Sequence, residues 1–153
     1  MESQSSANDF NNDFLTVGSM GHTASIAYGI CLGTDKDVYC IDGDGSLLMR
    51  MGSMTSNAYY NPSNMFHLLL DNGLHESTGG QKTVASNVDF MKIAEGANYT
   101  NVIEINSLKE LQNVMEKWHN DRQLTFAYCK TQKGIKENLG RPTVTPVQVR
   151  ERF

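Results

Sequence analysis

Val38-Tyr-Cys-Ile-Asp-Gly-Asp-Gly-Ser46 decides the architecture: a short run of β-forming residues, Val38 to Ile41, stops abruptly at Asp42-Gly-Asp-Gly45. Aspartate and glycine in alternation are strong turn chemistry, so the run reads as a buried strand that ends where the glycines begin. A helix is expected from Leu47 to Tyr60, closed by Asn61-Pro62, because the residue before a proline is driven out of the helical region. Phe66 to Leu70 is a second buried-strand candidate, and it too stops at a turn, Asp71-Asn-Gly73.

The same alternation extends outward. Upstream, Phe14-Leu-Thr-Val-Gly18 reads as a short strand followed by a small-residue helix from His22 to Leu32. Downstream, His75 to Asn87 has no usable periodicity and reads as a loop, of a length that is usually functional. Asp89 can cap a helix with Phe90, Ile93, Ala94 and Ala97 on one face, and Val102 to Ile105 is a further strand. Ser107-Leu-Lys-Glu110 has the form of a capping box ahead of Leu108, Leu111, Met115 and Trp118 at helical spacing. Leu124 to Cys129 is the last strand, and residues 130–153 are expected to be an irregular basic tail. Strand and helix in strict alternation predict an α/β fold: three layers, doubly wound, a mostly parallel sheet with helices on both faces. Ligands of such sheets gather at the carboxyl ends of the strands, so the clusters after Val17, Ile41 and Leu70 are expected to share one edge.

The 153 residues suit one domain, read as a polar leader over 1–13 and a folded unit over 14–153. With 39% apolar and 20% charged residues the composition is that of a soluble globular protein, and no apolar run approaches the length of a membrane span. The leader has no basic start and no apolar segment, so a cytoplasmic location is expected. Cys31, Cys40 and Cys129 form no CxxC pair and read as reduced core residues. From Lys130 onward the chain carries net +4, which leaves −8 for the remainder; the tail is a solvated surface or a landing place for an anion or an acidic subunit. An acidic chain with no recognisable binding module gives no support to nucleic-acid binding.

The aspartate and glycine cluster fails the commoner motifs. An EF-hand requires glycine at its sixth position and glutamate at its twelfth, where this chain has Leu47 and Ser53. A dinucleotide fingerprint requires glycine or alanine at Leu48, and a P-loop lysine is missing. What remains is a carboxylate, Asp44, and an amide oxygen, Asn72, at two strand ends: hard donors suited to magnesium or calcium, with coordination positions left for diphosphate oxygens. Gly43 and Gly45 permit close backbone approach to such oxygens, and the helix after Ser46 turns its positive end toward them. Taken alone, the two segments are equally compatible with unrelated turns of an α/β protein.

With Gly18-Ser-Met-Gly21 upstream, the spacing from Gly43-Asp-Gly45 to Asn72 resembles the cofactor motif of thiamine-diphosphate enzymes. Within that superfamily the chain is similar to the phosphonopyruvate decarboxylase family. The resemblance is carried by residues 14–22, by Asp71-Asn-Gly-Leu-His-Glu-Ser-Thr-Gly-Gly-Gln81 and by Leu139-Gly-Arg-Pro142. The sulfopyruvate decarboxylases are close cousins. Where many relatives have two consecutive asparagines this chain has Asp71-Asn72, a change at the position before the ligand.

The resemblance implies a carboxy-lyase that converts 3-phosphonopyruvate to phosphonoacetaldehyde with thiamine diphosphate and Mg2+. In it Asp44 and Asn72 ligate the metal by side chain and Leu74 by its main-chain oxygen. Gly18, Ser19, Met20, Gly43, Gly45, Ser46 and His75 complete the cofactor site, Gly18 through its carbonyl to the aminopyrimidine and Met20 as the wedge that bends the cofactor. Candidates for substrate contact or proton transfer are His75, Glu76 and Ser77, with His22 after them; His67 and His119 read as structural. Lys133, Lys136 and Arg141 are candidates for the phosphonate. The resemblance implies that the family's catalytic glutamate belongs to a preceding domain, and that domain, with the first strand and helix of the metal-binding domain, is expected to be missing from this chain. The expectation is therefore a truncated half or β-type subunit, inactive until a glutamate-bearing pyrimidine-binding domain or α-type subunit joins it in a dimer or higher oligomer. The alternatives are a sulfopyruvate decarboxylase β-type subunit and a noncatalytic cofactor-binding subunit or remnant.

Overall fold

The structure, a computed structural model, describes residues 12–134 and 144–152. Its centre is a four-stranded, wholly parallel sheet in the order β1-β2-β6-β5, with β1 Val38–Gly43, β2 Met65–Asp71, β5 Asn101–Ile105 and β6 Thr125–Lys130. A separate two-stranded antiparallel ribbon pairs β3 Leu74–His75 with β4 Gln81–Lys82.

Topology follows from one chirality rule. Right-handed crossovers place the intervening helix on one face when the chain steps one way across a sheet and on the other when it steps back. The chain steps forward from β1 to β2 through α2 Asp44–Met49 and α3 Ser53–Tyr60, and forward again past β6 to β5 through α4 Phe90–Gly96. These helices share one face with α1 Thr23–Cys31, around Ala24, Leu47, Met54, Leu69, Phe90 and Phe126. The single backward step, β5 to β6, runs through α5 Leu108–Asn120, and Trp118 of α5 packs on Phe66, Leu68, Ile105 and Ala127 of the opposite face. Strand β2 shows the division residue by residue: Met65 and Leu69 serve the first core, and Phe66 and Leu68 the second. Buried on both faces, it is the continuous apolar run that an all-parallel sheet demands.

At the amino end of β1, opposite the candidate site, Asp37 ties this edge strand to α5: Arg122 Nη2 lies 2.6 Å from its Oδ1, and His119 bonds its Oδ2. His119 is thus structural, and so is His67, fully buried with its Nδ1 3.3 Å from the Tyr99 hydroxyl. Among the described residues no helix is long and apolar enough to cross a membrane.

Four expectations require correction. Phe14 to Gly18 forms no strand; among the described residues β1 is an edge with no partner on that side, and Val17 is 66% exposed. The helix over Leu47 to Tyr60 is two helices. The ladder breaks at Arg50 (φ −141°, ψ 43°), whose N–H donates three residues back to the Leu47 carbonyl, beside the weak helix former Gly52. Leu108 points outward rather than into the core, while Leu111, Met115 and Trp118 of the same helix face inward. The tail is not irregular throughout: α6 spans Pro146–Arg152 behind a reciprocal cap, Gln148 N–H to Thr145 Oγ1 at 3.3 Å and Thr145 N–H to Gln148 Oε1 at 2.8 Å.

Candidate cofactor and metal site

Parallel pairing of β1 with β2 aligns Gly43 with Leu70, so Asp44 and the Asp71-Asn72 turn emerge side by side at the carboxyl edge. Asp44 opens α2 and is 2% exposed, yet among the described residues no lysine, arginine or histidine ion-pairs with it. A carboxylate removed from water is costly to keep charged without a counter-charge, so a cation bound at this position would compensate it. The bond that holds Asp44 comes from Thr83, whose hydroxyl donates to Oδ2 at 2.5 Å.

Asn72 is fixed through both ends of its amide. Its Nδ2 donates to Glu76 Oε2 at 2.8 Å, and its Oδ1 accepts from the Leu74 N–H at 3.0 Å. Because a carboxylate only accepts, Glu76 dictates which way the amide faces, and Oδ1 keeps a second lone pair. Asp71 builds the turn instead: Oδ1 accepts from the Gly73 N–H at 2.9 Å and Oδ2 from the Tyr128 hydroxyl at 2.7 Å. Burial first, and then the bond to Asp71, push the Tyr128 hydroxyl up from its ordinary pKa. Among the described residues no three His, Cys, Asp or Glu side chains cluster as a metal site, so a cation here draws on a mixed set of carboxylate, amide and main-chain oxygens. That set suits magnesium, a hard ion that keeps positions for phosphate oxygens.

The upstream segment reaches the same edge. The Gly21 N–H donates to Ser46 Oγ at 3.1 Å, and Gly21 (φ +89°) lies so close to α2 that a Cβ there would sit 3.0 Å from Met49 Cβ. Gly18 (φ +71°), Ser19 and Met20 thereby line, with Ser46 and Ser77, a cleft of about 390 Å3. Met20 is 41% exposed, a cleft residue rather than a core one.

The remaining candidates divide. Leu74 opens the short ribbon opposite Lys82, and Gly43 faces open space. The space in front of Gly45 is filled by the His75 imidazole. Ser77 is exposed on the cleft wall. Glu76 is engaged elsewhere, between Asn72 and the Gly134 N–H at 2.7 Å. His22 bonds the Ser19 carbonyl through Nδ1 at 3.3 Å and lies outside the cleft lining. Lys133 is exposed; Lys136, Arg141 and Leu139-Gly-Arg-Pro142 lie outside the described residues.

Thr83 and Tyr128 were not legible as site residues. Thr83 sits in the aperiodic stretch and acts on a carboxylate 39 positions away, and Tyr128 reads as one more residue of a buried strand. Three bonded contacts, Asp44 to Thr83, Thr83 to Gly73 and Gly21 to Ser46, thus gather all three glycine-bearing segments at one edge.

Comparison with known proteins gives the same direction. Residues 3–128 match the family described as thiamine pyrophosphate enzyme, C-terminal TPP binding domain. Phosphonopyruvate decarboxylase of Streptomyces viridochromogenes is 39% identical over 145 residues, 95% of this chain and 36% of the relative. Sulfopyruvate decarboxylase subunit beta of Methanocaldococcus jannaschii is 34% identical over 95% of this chain and 77% of its own length. The chain therefore spans about a third of the phosphonopyruvate enzyme and three-quarters of the beta subunit. Among solved structures, one from Mycobacterium smegmatis described as a thiamin diphosphate-dependent enzyme aligns with a TM-score of 0.65 at 21% identity, covering 76% of this chain and 23% of that one. Transketolase from Campylobacter jejuni aligns with a TM-score of 0.52 at 18% identity, covering 74% and 18%; both likenesses concern the fold.

Proposed function

The chain belongs to the thiamine pyrophosphate enzymes as a C-terminal TPP-binding domain, and from that premise we propose that it is the diphosphate- and metal-holding half of a 2-oxo acid decarboxylase acting on 3-phosphonopyruvate. The observation that carries this reading is the buried Asp44 carboxylate, without a cationic partner among the described residues, beside Asn72 at the carboxyl edge of a parallel sheet.

In this reading Asp44, Asn72 and the Leu74 carbonyl hold Mg2+, and Gly43, Gly45 and Ser46 lie along the diphosphate. Gly18 presents its carbonyl to the aminopyrimidine, and Met20 props the cofactor from the cleft wall. Bound there, thiamine diphosphate supplies an electron sink that no side chain provides, for the pair released as carbon dioxide leaves. His75 and Ser77 face the substrate side, where a hydrogen-bonding group holds or moves a proton. Glu76, tied to Asn72, orients the metal ligand instead of touching substrate. The glutamate that activates the cofactor comes from a pyrimidine-binding domain or α-type subunit, with which the chain assembles into a dimer or larger oligomer.

A second reading is a β-type subunit of a sulfopyruvate decarboxylase, favoured by the 34% identity to a protein of that name over 95% of this chain. The test combines the chain with a glutamate-bearing α-type subunit, thiamine diphosphate and Mg2+, and follows carbon dioxide and aldehyde from each keto acid. Preferential turnover of 3-phosphonopyruvate is expected. Preference for sulfopyruvate selects the second reading, and product from neither selects a noncatalytic cofactor-binding subunit.

A further inference from the structure

Thr83 makes three bonds, two of which reach the two candidate metal segments. Its hydroxyl donates to Asp44 Oδ2 at 2.5 Å, and its own N–H donates to the Gly73 carbonyl at 3.0 Å. The hydroxyl oxygen also accepts from the Ala85 N–H at 3.3 Å, which pins the donor in place. One residue thus connects the loop after β1 to the turn after β2, across 39 positions of sequence on one side and ten on the other.

From this juxtaposition we propose that Thr83 is a positioning residue of the metal site: it occupies Asp44 Oδ2, leaves Oδ1 as the lone coordinating oxygen, and so tunes the site for Mg2+ over Ca2+. The inference rests on the cofactor reading above. Its chemistry is that of ligand number. Magnesium requires a compact octahedron in which a carboxylate gives one oxygen, whereas calcium accepts six to eight oxygens and takes carboxylates with one oxygen or with both. A hydroxyl held on Oδ2 supports the first mode and competes with the second. Residues that orient metal ligands commonly alter affinity by about 10- to 100-fold when removed.

The test is calorimetric titration of thiamine diphosphate, with Mg2+ and separately with Ca2+, into the chain assembled with its glutamate-bearing α-type partner, as wild type and as Thr83→Val, Thr83→Ser and Asp44→Ala. Thr83→Val keeps the shape and the N–H to Gly73 but removes the hydroxyl. It is expected to weaken binding with Mg2+ by about 10- to 100-fold and with Ca2+ by much less. Thr83→Ser, which retains the donor, is expected to stay within about 3-fold of wild type on both, with its hydroxyl making the same charge-assisted bond. Circular dichroism without ligand checks folding; if the Val variant does not fold, Thr83→Ala, smaller and equally without a donor, is read in its place. Equal Mg2+ and Ca2+ losses, or none, overturn the positioning role, as does loss of binding in the Ser variant. If wild type does not bind, or Asp44→Ala binds as well as wild type, the cofactor reading itself falls and takes this inference with it.

Discussion

The imidazole of His75 lies against the α-carbon of Gly45: a Cβ placed there would meet His75 Cε1 at 2.4 Å and Nδ1 at 2.5 Å. Two effects oppose each other in Gly45→Ala. Alanine favours the helix by about 1 kcal/mol, and the forced shift of the ring costs about 1–3 kcal/mol. A urea-denaturation cycle of Gly45→Ala, His75→Ala and the double variant should reveal the conflict. Gly45→Ala is expected to be less favourable with His75 present than in the His75→Ala background, where it should stabilise, a coupling of about 1–3 kcal/mol. Additive effects would mean that the ring moves freely and that the contact has no energetic content.

Tyr128→Phe tests the Asp71 turn. The change leaves the ring and removes the donor to a buried carboxylate oxygen, so a loss of about 1–3 kcal/mol is expected in the urea midpoint analysis. The loss should be larger than that of Tyr39→Phe, whose hydroxyl makes only a long, exposed bond of 3.4 Å to Asp37. Equal losses would remove Asp71 from the account of how Asn72 is presented.

Alkaline pH should destabilise the fold, and the sign follows from the thiols. Burial pushes Cys31 up to about 11 and Cys40 well above its ordinary range, with the Asp42 charge adding to the latter. Unfolded thiols ionise near 9.0, so above that pH the unfolded chain gives up protons that the native one keeps. The stability is complete below pH 9 and declines as the pH rises toward 11. Thermal midpoints between pH 7.5 and 10.5 should fall progressively, and the fall should be shallower in Cys40→Ala. A flat profile would mean that these thiols are not buried.

Trp118, the only tryptophan, packs edge-on against Phe66 and Tyr39 and donates Nε1–H to the Gln123 carbonyl at 2.7 Å. Trp118→Ala should cost about 3–5 kcal/mol, because α5 is the helix that covers the second face of the sheet. Wild-type emission should shift to the red on unfolding; red emission from the native state would contradict the buried setting.

The sheet was legible because its signals are local. Val38 to Ile41 and Phe66 to Leu70 are short apolar runs bounded by turns, and Asp89 and Ser107 cap their helices as their side chains allow, at 3.1 and 3.2 Å. The α6 cap is equally local, since Thr145-Pro-Val-Gln148 has the form of a capping box. The break at Arg50 and the missing strand at Phe14 depend on neighbours: a strand is set by what it pairs with, and a helix by what its faces meet. In the site, Asp44 and Asn72 could be singled out by residue type, whereas the Gly18 to Met20 segment was singled out by its resemblance to a family motif. The bond from Thr83 to Asp44 and the bond from Tyr128 to Asp71 are long-range contacts of ordinary residues, 39 and 57 positions apart, whereas Glu76 reaches Asn72 from only four positions away.

The central claim is that Asp44 and Asn72 close on one cation. A crystal structure of the chain grown with Mg2+ and thiamine diphosphate tests it most directly. The account predicts a metal about 2.1 Å from Asp44 Oδ1 and from Asn72 Oδ1, with diphosphate oxygens on its open positions. A metal bound elsewhere, or no metal at saturating ligand with Asp44 bonded to Thr83 alone, would contradict it.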